Sequence, residues 1–149
     1  MALLDGLAAW LADPDLGLGL TWRPDGTPYE PGEVGIVLDH MPDTPDQVVA
    51  LTGYGAGAEP DALQSGADEH RVQIRTRGTA DPHVSRARLA AIYDVLQGLD
   101  AVTLPDGTHV VLAVAIQADP VPLGVDGNRR HEHAQNYRFL VEAPTAHRI

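Results

Sequence analysis

The chain has 149 residues, 21 of them acidic and 10 basic, a formal net charge of −11, and no cysteine. A length of this order suits a single domain, 1–149, that buries a core without metals or disulfides, and the missing cysteine removes disulfide frameworks, zinc–thiolate centres, iron–sulfur clusters and cysteine nucleophiles. All the positive charge is arginine, and so acidic a chain repels a phosphate backbone, which disfavours sequence-specific nucleic-acid binding.

Along the chain, Leu3, Leu4, Leu7, Ala8 and Leu11 recur at helical spacing, predicting a short amphipathic helix over 2–12 that Asp13-Pro14 stops. Asp5 interrupts residues 1–7 before a signal-like apolar run develops, and no stretch reaches membrane-spanning length, so the expected place of folding is a cytoplasm. Residues 17–22 read as extended, and a turn-rich connector leads to the apolar run 34–38. Met41-Pro-Asp-Thr-Pro-Asp46 sets two prolines among acids ahead of 48–52, which has the content of a buried strand. Residues 53–68, rich in Gly, Ala, Asp and Glu, predict a mobile loop.

The next segment alternates strictly, so Arg71, Gln73, Arg75 and Arg77 share one face of a strand and Val72, Ile74 and Thr76 the other. Asp81 is placed to cap a helix with Pro82 at its first position. Ser85, Leu89, Ile92, Leu96 and Leu99 mark that helix's buried stripe, and Gly98 its stop. Strands at 101–104 and 108–117 flank the turn Pro105-Asp-Gly107. A second mobile loop is expected over 119–130, before a last strand at 131–142 with His133, Gln135, Tyr137, Phe139 and Val141 on one side. The fold class is α+β: a mostly antiparallel curved sheet with one long helix packed across it and a short N-terminal helix.

Catalytic and metal chemistry find little support. His131 and His133 lie on one strand face within reach of one ion, but no third ligand is fixed by spacing, and His40, His70, His83, His109 and His147 form no ligand pattern. The acids flank prolines, as turn residues do. Ser65 and Ser85 lie outside any nucleophile elbow, and Gly53-Tyr-Gly-Ala-Gly57 lacks the lysine of a phosphate loop. What remains is interaction surface. A basic strip on an acidic body is self-complementary, and copies can join head to tail into a ring. Arg71, Arg75, Arg77, Arg129 and Arg130 are the subunit-contact candidates.

The succession Met41-Pro-Asp-Thr-Pro-Asp46, Val48-Val-Ala-Leu51, Val72-Gln-Ile-Arg-Thr-Arg-Gly78, Ala91-Ile-Tyr-Asp-Val-Leu-Gln-Gly-Leu99, Pro122-Leu-Gly-Val-Asp126 and Gln135-Asn-Tyr-Arg-Phe139 resembles the minor capsid or tail-terminator proteins of long-tailed bacteriophages, over about 35–142. The resemblance implies an α+β fold, no catalysis, no cofactor and no membrane. It also implies a homo-hexameric ring that stops tail-tube growth and joins the tail to the head, assembled in a host bacterial cytoplasm and carried in the virion neck. Its partners would be the tail-tube protein and head-completion or connector proteins, with genomic DNA sliding through an acidic lumen unbound. Glu59, Asp61 and Asp68 are the candidates for the lumen or for contact with a neighbouring ring. The resemblance places a basic residue after Leu123-Gly124, where this chain has Val125. The alternatives are a head-completion or stopper protein, or a small cytoplasmic metal-binding enzyme using His131 and His133.

Overall fold

A computed structural model describes residues 2–55 and 66–146. The elements are α1 (Ala2–Leu11), a 3-10 turn (Pro14–Leu16), β1 (Leu20–Trp22), β2 (Val34–Leu38), β3 (Val48–Tyr54), β4 (Ala67–Arg77), α2 (Pro82–Leu96), β5 (Leu99–Thr103), β6 (His109–Ala115), β7 (Val121–Val125) and β8 (His131–Glu142). The strands form a sheet in the order β1-β2-β3-β4-β8-β6-β5, with β7 also paired to β8. β1–β2 and β2–β3 are parallel and the other pairs antiparallel. This is the α+β, mostly antiparallel architecture expected from the sequence, with a parallel margin that periodicity alone did not disclose.

The two helices share one face of the sheet. Leu3, Leu7 and Leu11 of α1 and Leu89, Ile92 and Leu96 of α2 meet Ile36, Val49, Leu51, Val72, Ile74, Tyr137 and Phe139 in one core. Burying each such side chain contributes roughly 1.5–3 kcal/mol. The start of α2 is fixed locally: the Asp81 carboxylate accepts from the His83 amide at 3.0 Å, and Pro82 follows the cap. Gly78 lets the chain turn close beneath that first turn, since a β-carbon there would lie 2.9 Å from the Ser85 nitrogen. Gly98 (φ 77°) ends the helix, and Gly107 (φ 94°) makes the β5–β6 hairpin turn.

Two expected loops resolve differently. The segment 119–130 contains β7, whose residues pair with β8 from Val121↔Ala134 to Val125↔His131, with an irregularity between Pro122 and Gly124. Pro122 and Gly124 within it, and Pro120 just ahead of it, hide the strand in sequence, yet they suit an edge strand with a bulge. Of 53–68, residues 53–54 finish β3 and 67–68 begin β4. Glu59 and Asp61 lie outside the described residues. β6 and β7 run along one side of β8 but are interrupted at the Gln117 corner. There Gln117 replaces strand pairing: its side-chain Oε1 accepts from the Asn136 amide and its carbonyl from Gln135 Nε2, both at 2.8 Å.

Candidate interaction surface

The sheet face away from the helices is covered at one end and open at the other. β2 and β3 are parallel neighbours joined only by residues 39–47, too short for the helix that usually makes such a crossover. The connector returns across the helix-free face above Val37, Val48 and Ala50, with Met41 packed on them beside Tyr29. Irregular backbone in that position needs hydrogen-bond donors, and Arg77 supplies them. Its guanidinium donates to the carbonyls of Asp46 (2.9 Å), Pro42 (2.6 Å), Pro45 (2.6 Å) and Asp43 (3.3 Å). Burial, then the neighbouring Arg130 charge, lowers the pKa of Arg77.

Arg130 secures the same connector from the β7–β8 turn. It donates to the Asp43 carbonyl (2.8 Å) and pairs with Asp126 (2.8 Å), Asp46 (3.1 Å) and Asp43 (3.3 Å). Burial works against its charge, but the hydrogen bond and charge of Asp126, helped by Asp43 and Asp46, outweigh it and raise the pKa. The Asp126 carboxyl is lowered in turn, first by the Arg130 backbone amide. A second connector, 23–33, is held by the Arg23–Glu33 pair (2.8 Å) and by Arg23 lying over the Tyr29 ring, whose hydroxyl donates to the Ile36 carbonyl.

The row of three exposed arginines expected on β4 is therefore divided. Arg77 and Arg130 are buried and hold the chain's own backbone, while Arg71 and Arg75 remain on the open face and Arg129 is exposed in the turn, at φ 63°. Strict alternation gave the right face for Arg77 but could not show that 39–47 covers it. Arg75 pairs with Glu132 at 2.8 Å. Asp68 lies half-buried at the start of β4.

Sequence reasoning missed Arg138, which stands directly across from Arg71 in the β4–β8 register. Both contact a single carboxylate, Glu69: Arg138 by a close hydrogen bond, Arg71 at 4.0 Å. Beside them Leu112 and Leu140 face each other across β6 and β8, 41% and 36% exposed. With Val114, Glu69 and Arg138 they line a depression of about 220 Å³. The sequence signal was the parity of the last strand: with Tyr137 and Phe139 inward, Arg138 and Leu140 point outward.

The two histidines of the metal alternative are separated by their surroundings. His133 is buried, its Nδ1 2.6 Å from Ser85 Oγ, while His131 is half-exposed. Burial, with Arg86 and His131 adding to it, lowers the His133 pKa. Among the described residues no three His, Asp or Glu side chains are grouped to hold a metal, and no helix is long and apolar enough to cross a membrane.

A fold with these connectors and this half-open sheet has counterparts. A family described as "Bacteriophage tail terminator protein" matches residues 16–143, which hold every strand of the sheet and both connectors. The chain belongs to this tail terminator family. No curated protein matches it. Among solved structures, a chain from the virion of a native gene transfer agent particle shares the fold at 20% identity and a TM-score of 0.51, covering 72% of this chain and 78% of that one. The terminator family is structural in kind, which agrees with a surface built from sheet, aliphatic side chains and ion pairs. The match begins at residue 16, so α1, which seals the core beneath β1–β3, lies outside it.

Proposed function

We propose that this chain is the tail terminator of a long-tailed phage or phage-like particle, a non-enzymatic virion protein that forms a homo-hexameric ring, caps the finished tail tube and joins it to the head. The family match across 16–143 carries this reading. The physical features that support it are a sheet face left half open and an uneven distribution of charge, both suited to repeated contact between copies.

Six copies at −11 each make a strongly acidic collar. Such a collar lets DNA pass without adhering, because it offers no net positive field to the phosphates. The segment bearing Glu59 and Asp61, with Asp68 at its edge, is the proposed lining or ring-to-ring contact. The tail-tube protein below and a head-completion protein above are the proposed partners, assembled in the host cytoplasm. Light scattering and negative-stain imaging of the purified chain test the ring: six-membered annuli are expected at high concentration. A homogeneous monomer from micromolar to millimolar concentration would contradict it.

A further inference from the structure

We propose that the open face of β4, β6 and β8 receives the acidic 13–46 region of a second copy, a contact that rests on the ring reading above and gives it an address. The receiving face carries an electrostatic imbalance. Arg71 and Arg138 stand side by side on adjacent strands, an arrangement that is unfavourable for like charges. They share one carboxylate, and their side chains are 43% and 55% exposed against 19% for Glu69. A carboxylate from outside would complete this pair of guanidiniums, each of which offers a fork of donors.

The same face is apolar next to the charge. Leu112 and Leu140 form an exposed cross-strand pair above the 220 Å³ depression, with Arg138 and Glu69 at its rim. Exposed aliphatic residues with arginine beside them are the composition of a protein contact, whereas a nucleic-acid surface would need a wider basic field.

The occupant is indicated by where the chain keeps its negative charge. Between residues 13 and 46 there are eight carboxylates and one arginine, Arg23. Glu33 is paired with Arg23, and Asp43 and Asp46 with Arg130, which leaves Asp13, Asp15, Asp25, Glu30 and Asp39 exposed outside these ion pairs. This region surrounds β1 and β2, at one edge of the sheet, whereas Leu112 and Leu140 lie towards the other edge. Self-pairing of this face would bring together two arginine pairs with only the already shared Glu69 between them on each copy, a poorer match than the acidic 13–46 region. Donor and acceptor surfaces therefore belong to different patches, which makes the contact head-to-tail and compatible with a closed ring.

The test uses the full chain and charge reversal on each side, followed by light scattering and sedimentation, with circular dichroism to verify folding. Arg71→Glu with Arg138→Glu should raise the concentration needed for assembly by at least about tenfold. The milder Arg71→Gln with Arg138→Gln pair should act in the same direction and serves if the reversal disturbs the sheet. Asp15→Arg with Glu30→Arg should also weaken assembly alone, and mixing it with the Arg71→Glu, Arg138→Glu protein should restore mixed oligomers. A wild-type ring with both arginine variants still fully assembled would overturn this contact and leave the ring reading standing. Mixing that restores nothing would overturn the choice of the 13–46 region. A wild-type chain that never assembles would overturn the ring reading itself.

Discussion

Replacing Arg77 by methionine keeps most of the side chain's bulk and removes the group that holds the 39–47 connector. Arg77 is only 3% exposed, and its guanidinium serves four carbonyls. The bond to the Pro45 carbonyl is enclosed, so its loss is felt in full, at ~2–3 kcal/mol for a charged donor. The Pro42, Asp43 and Asp46 carbonyls lie nearer solvent and regain part of their bonding from water, leaving ~1–2 kcal/mol among them. The expected loss is ~3–5 kcal/mol, a large share of the ~5–15 kcal/mol that stabilises a typical domain. In urea, with a slope near ~2 kcal/mol/M, the midpoint should fall by about 2 M. Arg77→Lys should recover little of this, because a point charge cannot reach all four carbonyls. Arg138→Met, on the exposed face, should move stability by no more than ~0.5 kcal/mol. A midpoint for Arg77→Met within about 0.3 M of wild type would refute the claim that this arginine secures the connector.

Three further perturbations report on other parts of the fold. The lowered His133 pKa means that the unfolded chain takes up the proton first, so this stabilisation is complete above about pH 6.5 and is lost as pH falls through the lower folded value. Urea midpoints at pH 7.5 and 5.5 should show the decline, and His133→Gln should remove that component. Asp81→Ala should cost about 1 kcal/mol through the lost α2 cap, read as a lower thermal midpoint. Gln117→Ala should cost ~1–2 kcal/mol, and hydrogen exchange should show the Asn136 amide losing protection while the β4–β8 amides keep theirs.

The sequence disclosed those parts of the fold whose pattern is local. The alternation in β4 and β8, the leucine spacing of α1 and of α2 up to Leu96, the Asp81 cap and the Pro105-Asp-Gly107 turn all have a period or a signature and appear where expected, whereas Leu99, expected on the α2 stripe, follows the helix stop at Gly98 and opens β5. β7 escaped because proline and glycine fill it, and an edge strand tolerates both. The candidate surface was half legible. Arg71 and Arg75 lie on the expected face, but whether an arginine there meets solvent or backbone depends on a connector some thirty residues earlier in the chain. Arg77 and Arg130 fell on the buried side of that division. Arg138 was overlooked for the converse reason: its neighbour Arg71 is set by strand register, which is a long-range property.

The most direct measurement of the central claim is tail length in particles made without this chain. Host cells producing all other virion components should yield tails that overrun the normal length and stay unattached to heads, and supplying the chain should restore uniform, joined tails. Tails of normal length already fixed to heads in its absence would contradict its assignment as the terminator.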